Sequence, residues 1–207
     1  MRIGVLISGR GSNLEALARA CVDSEYPATI ACVISNKVNA HGITIASQYS
    51  VPAFTVNRKP LDTEGISSIL EQHKVELVCL AGFMSVLPAQ FVTKWHGKII
   101  NIHPSLLPSF KGLKAQEQAY NAGVKVAGCT VHYVSPEVDG GPIILQAAVP
   151  VLNDDTVETL SHRILSVEHL CYPEAVRLIA LGRVKIVENR VVRVKGNDEL
   201  FLLSQKS

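Results

Sequence analysis

Asn101 and His103 lie two apart in NIHPSLLPSFKG (101–112), which Pro104 and Pro108 stiffen. In an extended backbone residues i and i+2 point to the same face, so the amide and the imidazole sit side by side and can serve one reacting atom. Both side chains can donate hydrogen bonds, and two donors aimed at developing negative charge stabilise an oxyanion. A histidine that satisfies a backbone carbonyl near a sheet edge also fits His103, although the Asn-x-His-Pro constellation weighs against it. Further on, VDGGP (138–142) sets Asp139 before two glycines. Locally this is a turn signal. A carboxylate carried back over the sheet end could also pair with His103 and favour its cationic form. An Asn, a His and an Asp converging would form an acyl-transfer site without a protein nucleophile, and no GxSxG elbow competes for the role.

GRGSN (9–13) falls between a strand-like run and a helix-like one. Its glycines let the backbone curl, and the amides of Gly11, Ser12 and Asn13 at a helix start can hold a phosphate. A tight turn capped by Ser12 fits the same residues. The dinucleotide fingerprint would need a third glycine where Leu14 stands and an acid after the second strand, where Ser35 and Asn36 stand, so NAD is disfavoured. No GK[ST] follows, which disfavours a nucleoside triphosphate. In AGFMSVLP (81–88), Gly82 permits close approach of a ligand to backbone, while Phe83, Met84 and Leu87 could wall a slot for a flat ring; core packing is the stronger reading of Phe83. The seven His and five Cys show no close ligand spacing, so no metal is expected. His132 reads as a satisfied interior histidine, with support of the site as the alternative.

These residues need a frame. Short apolar, β-branched runs recur at 2–8, 29–36, 52–56, 76–83 and 98–103, separated by helix-length stretches such as GSNLEALARAC and ISSILEQHK. That pattern predicts an α/β fold built on an open, doubly wound, mostly parallel Rossmann-like sheet. A helix is expected over 115–121. GCTVHYV and PIILQAAVPV around SPEVDGG predict an antiparallel hairpin with a long tip, followed by a long helix over about 156–181, with Asp155 as cap, Pro173 as a kink and Gly182 as its stop. KIVENRVVRV predicts a final hairpin. The 207 residues suit one domain. We expect a phosphate-binding α/β half over 1–103 and a second half, with the hairpin and the long helix, over 104–207.

The 20 Lys and Arg against 18 Asp and Glu give a formal charge of +2 with no basic run, which argues against nucleic acid. Scattered cysteines in apolar runs read as reduced core residues of a cytoplasmic protein, and no signal peptide or membrane span is expected.

The segments VLISGRGSNLEAL, LAGFM, NIHPSLLPSFKG, VHYV, VDGGPIILQAAVPV and VEHLCYP together resemble the phosphoribosylglycinamide formyltransferase family of purine biosynthesis, over nearly the whole chain. The resemblance implies the formyltransferase fold and transfer of a formyl group from 10-formyltetrahydrofolate to the amine of glycinamide ribonucleotide, without a metal. It implies Asn101 and His103 as donors to the formyl oxygen, and Asp139 as the carboxylate that holds His103 protonated and assists proton transfer. Gly11, Ser12, Asn13, Gly82, Pro104 and Glu168 would bind the ribonucleotide, Glu168 at the ribose hydroxyls. Met84, Ser85, Val86, Leu87 and Asn101, with Ser135, Pro136, Glu137, Val138 and Asp139, would form the folate pocket. From its residues alone, Glu168 reads as a solvated helix charge.

The chain departs from the family pattern at Ser85, where Arg is common, at Gln116, where His is usual, and in PLDTEG, which lacks an Arg; contacts to the folate tail rest on these positions. A related enzyme acting on initiator tRNA would be expected to carry a further basic domain, and one hydrolysing the folate would need no phosphate cradle. The expected partners are the two small-molecule substrates, with no nucleic acid or membrane, and the expected assembly is a monomer or weak homodimer.

Overall fold

The computed structural model describes residues 1–194, and the elements below are those of the described residues. The polar stretch NDELFLLSQKS (197–207), in which the sequence pattern predicts no element, lies outside them.

Four βα repeats and a fifth strand open the chain. Strands β1 (Arg2–Ile7), β2 (Thr29–Ser35), β3 (Ala53–Thr55), β4 (Leu77–Leu80) and β5 (Ile99–His103) alternate with helices α1 (Ser12–Val22), α2 (His41–Gln48), α3 (Thr63–Gln72) and α4 (Ala89–Lys94). After α5 (Ala115–Asn121) come β6 (Val126–Tyr133), β7 (Ile143–Pro150), the 24-residue α6 (Val157–Ala180), and the strands β8 (Val184–Val187) and β9 (Arg190–Arg193).

One sheet runs in the order β3-β2-β1-β4-β5-β6-β7, and β8-β9 forms a separate two-stranded sheet. Pairings up to β4–β5 are parallel, whereas β5–β6 and β6–β7 are antiparallel. Burial follows this division. β4 is buried at every position and β1 at all but its first, because helices cover both faces. From Leu145, β7 alternates buried and exposed, as a strand with one wet face must. One core cluster packs α1, α2 and α6 residues such as Leu17, Ile45 and Ile164 on the sheet, while the other packs Ile66 and Leu70 of α3 with Phe91 of α4 and Trp95. The predicted doubly wound sheet and both hairpins are present.

Two capping expectations are corrected. Ser12 is the first helical residue of α1, and the cap is Gly11 at φ 81° with no side-chain bond. A Cβ on Gly11 would lie 2.7 Å from the Gly42 Cα, so this strand-to-helix turn requires glycine by both conformation and contact. At α6 the cap is Thr156 rather than Asp155: the Thr156 hydroxyl accepts from the Thr159 amide at 3.2 Å, and the Thr159 hydroxyl accepts from the Thr156 amide at 2.9 Å. Asp155 lies just outside and pairs with Arg163 at 2.6 Å. Helix α6 continues through Pro173, whose carbonyl accepts from the Tyr26 hydroxyl at 2.7 Å.

Candidate active site

The sheet order reverses direction between β1 and β4, and in open α/β sheets the crevice beyond the strands' C-terminal ends at such a point takes ligands. Three groups of side chains collect along this rim.

The first group stands where the sheet changes from parallel to antiparallel. Asn101 and His103 occupy one face of β5, and across the strand pair Asn101 is opposite His132 and His103 opposite Thr130. The turn between β6 and β7 brings Asp139 back over them, its Oδ2 lying 3.4 Å from His103 Nδ1. His103 Nε2 is 2.9 Å from the Phe110 carbonyl oxygen. Both ring nitrogens therefore face oxygens, and an imidazolium can donate to both. The Gly112 amide donates to Asp139 Oδ2 at 2.9 Å, and Asp139 itself takes φ 51°.

His132 completes this group. Its Nδ1 lies 2.9 Å from the Tyr133 carbonyl oxygen and must carry the hydrogen there, which leaves Nε2 to accept from Asn101 Nδ2 at 3.2 Å. Burial lowers the His132 pKa, the direction that keeps this ring neutral and accepting. One Asn101 amide hydrogen is thus committed to His132 and the other is available to a ligand. The backbone around the group is pinned from below. Thr130 Oγ1 accepts from the Leu107 amide at 3.0 Å and donates to the Ser105 carbonyl at 2.7 Å. Gln146 Nε2 reaches the Leu107 carbonyl at 2.9 Å. Pro104 is half-buried within this loop.

The second group joins the phosphate-loop candidates to α6. Asn13 Nδ2 donates to Glu168 Oε2 at 2.7 Å, and both residues are buried. Glu168 is therefore no solvated helix charge. Desolvation pushes its pKa up to about 7, against the lowering effect of the Asn13 bond. Gly11 and Ser12 precede Asn13 at the start of α1, where helix amides lack partners of their own.

The third group follows β4. Gly82 takes φ 72° with open space above it. Met84 and Val86 are exposed, whereas Leu87 is buried in the core beneath. The Ser8 hydroxyl accepts from the Met84 amide at 2.7 Å and donates to Asn36 Oδ1 at 2.6 Å, and Asn36 Nδ2 donates to Ser85 Oγ at 2.9 Å. Ser85 is thus closed into a network with the ends of β1 and β2. Arg58 reaches the Met84 carbonyl at 3.3 Å, placing a cation beside this stretch that motif reading did not single out. In the β6–β7 turn, the Ser135 hydroxyl donates to the Glu137 carbonyl at 3.0 Å, Glu137 pairs with Lys111 at 2.8 Å, and Pro136 and Val138 are exposed. The apolar, solvent-facing Met84, Val86 and Val138 suit a flat ring system. No cluster of three or more His, Cys, Asp or Glu fit to hold a metal occurs among the described residues.

Residues 1–176 match the family described as Formyl transferase. A solved structure of phosphoribosylglycinamide formyltransferase from Anaplasma phagocytophilum superposes with a TM-score of 0.93 at 63% identity, covering 98% of each chain. Phosphoribosylglycinamide formyltransferase of Haemophilus influenzae is 41% identical over 91% of both chains. The trifunctional purine biosynthetic protein adenosine-3 of Bos taurus is 50% identical over 194 residues, which are 91% of this chain and 19% of that protein. The chain thus spans about a fifth of that longer relative and nearly all of the bacterial ones. With the family match covering residues 1–176 and a solved member of 63% identity superposing over 98% of the chain, the chain belongs to the formyl transferase family.

Proposed function

We propose that this chain transfers the formyl group of 10-formyltetrahydrofolate to the amine of glycinamide ribonucleotide, giving the N-formyl product and tetrahydrofolate in purine biosynthesis. The observation that carries the mechanism is the convergence of Asn101, His103 and Asp139 on the rim of the sheet. Asn101 donates its free amide hydrogen to the formyl oxygen as the substrate amine adds to the formyl carbon, and His103 donates from Nε2. The formyl oxygen competes with the Phe110 carbonyl for that proton. Asp139 holds the charge on His103 and orients a water that carries the proton from the attacking amine to the departing folate nitrogen, so no proton is gained or lost overall.

In this reading the amides of Gly11, Ser12 and Asn13 take the phosphate, Glu168 takes the ribose, and Gly82 and Pro104 flank the ribonucleotide. Met84 to Leu87 and Ser135 to Asp139 receive the folate. Residues 1–103 supply the phosphate loop and 104–207 the hairpin and long helix, although Glu168 of the second half reaches Asn13 of the first. The assembly proposed is a monomer or weak homodimer in the cytoplasm, acting on small molecules. No helix among the described residues is long and apolar enough to cross a membrane.

Formyl transfer measured on wild type and on Asn101→Ala, His103→Ala and Asp139→Ala tests this. Loss of one oxyanion donor typically costs about 2.7–4 kcal/mol of barrier, so kcat for Asn101→Ala and His103→Ala should fall about 10²- to 10³-fold. Asp139→Ala should fall strongly too, with the fold intact by circular dichroism. Near-normal turnover in a purified variant would remove that residue from the chemistry.

A further inference from the structure

The loops that follow the parallel strands are segregated by charge. Arg10 stands between β1 and α1, Lys37 between β2 and α2, and Arg58 and Lys59 between β3 and α3, and all four are exposed. None of them forms an ion pair among the described residues. In these loops, and in the one between β4 and α4, the only acid is Asp62, whose carboxylate caps α3 by accepting from the Gly65 amide at 2.8 Å. Glu15, the next acid inside α1, is matched by Arg19 at 2.6 Å. The opposite edge differs. The connections that lead from α1, α2, α3 and α4 back into the sheet hold Asp23, Glu25 and Glu76 against Lys74 and Lys98. The four rim cations exceed the formal net charge of the whole chain, +2, so positive charge is gathered at the edge where the crevice opens. Helices α1, α2 and α3 begin at that edge and add the positive ends of their dipoles.

These cations border the places of both proposed substrates. Arg10 adjoins Gly11 of the phosphate loop. Lys37 follows Asn36, whose Nδ2 donates to Ser85 Oγ at 2.9 Å, and Arg58 reaches the Met84 carbonyl at 3.3 Å. Lys37, Arg58 and Lys59 therefore flank the stretch that receives the folate. Both substrates are anions, one through its phosphate and the other through the carboxylates of its glutamyl tail. A cleft bordered by one sign of charge concentrates ions of the opposite sign and speeds their entry. We infer that Arg10, Lys37, Arg58 and Lys59 form an electrostatic approach surface, which raises the rate at which both anionic substrates enter the crevice and leaves the formyl-transfer step unchanged. This rests on the proposed reaction and extends it from the bound complex to the capture that precedes it.

The test measures kcat/KM for glycinamide ribonucleotide and for 10-formyltetrahydrofolate over a range of salt concentrations. It compares wild type, the neutralised triple variant Arg10→Gln, Lys37→Gln, Lys59→Gln, and the charge-keeping triple variant Arg10→Lys, Lys37→Arg, Lys59→Arg. Arg58 stays in place because it touches the Met84 carbonyl. At an ionic strength of about 10 mM, where the field of a charge reaches about 30 Å, the neutralised variant should lose about 10-fold in kcat/KM for both substrates with kcat unchanged. At about 1 M, where that reach is about 3 Å, the deficit should shrink to less than about 2-fold. The charge-keeping variant should match wild type throughout. If the neutralised triple does not fold, Lys37→Gln and Lys59→Gln alone should each show part of the salt-dependent loss. A deficit that persists at high salt, that appears equally in the charge-keeping variant, or that falls on kcat assigns these side chains to direct contact or packing and overturns the inference. So does a neutralised variant that matches wild type at low salt. A wild type that formylates no glycinamide ribonucleotide rejects the reaction itself and the inference with it, so the two failures are told apart by the wild-type control.

Discussion

Glu168 and His132 show how one cause, burial, moves an acid and a base in opposite directions. Both are buried, and in both burial acts against the charged form, raising the carboxyl and lowering the imidazole. His103 belongs with them in burial, yet its two nitrogens face Asp139 and the Phe110 carbonyl. The Glu168 carboxyl, pushed up to about 7, has a consequence for stability. Its folded-state pKa lies above the ordinary value near 4.5, so its contribution to stability is fully present below that value and is lost as pH rises through 7. The loss should approach about 3 kcal/mol above that range. Glu168→Gln keeps an acceptor for Asn13 and removes the titration. It should raise the melting temperature at pH 8 and change it little at pH 5, and equal shifts at both pH values would show that Glu168 does not titrate in between.

At the scale of elements, the hydropathy periods located every strand of the large sheet to within a few residues, because strands buried on both faces leave continuous apolar runs. Helix ends were less legible. Asp155 and Thr156 are both good caps by composition, and the choice depends on Arg163, a full two turns further along α6. Arg163 draws the Asp155 carboxylate into a two-pronged pair at 2.6 and 2.8 Å, leaving Thr156 to form the capping box with Thr159. Asp155 also accepts from the Leu152 amide at 2.7 Å, so it fastens the end of the hairpin to the start of α6. The Arg163 bond holds its carboxyl well below the usual range. That contribution to stability is present above the ordinary Asp value near 4 and is lost as pH falls below it. Asp155→Asn should therefore lower the melting temperature at pH 7, and the gap from wild type should close progressively as melts are repeated below pH 4.

The whole molecule unites residues that no local pattern could pair. Asn101 and His103 announced themselves by spacing, and the GRGSN loop by its place between strand and helix. His132 looked like an ordinary interior ring, and its cross-strand pairing with Asn101 depends on the register of β6, which periodicity does not fix. The Phe110 carbonyl was invisible because backbone atoms carry no sequence signal. The Asn13–Glu168 contact spans 155 positions, beyond any motif. The change of strand direction at β5 also sets an order of events during folding. Trp95, the single tryptophan, is packed with α3 and α4 residues on the parallel part of the sheet, whereas the β5–β6 pairing and the turn carrying Asp139 come from later in the chain. Formyl transfer needs both the parallel part and the turn carrying Asp139 in place, whereas the fluorescence needs only the packing around Trp95. A stopped-flow refolding experiment should see Trp95 fluorescence recover first and formyl transfer return in a later phase, set by the docking of β6 and β7 onto β5. Fluorescence and activity returning in a single phase would mean that the hairpin docks no later than the core around Trp95.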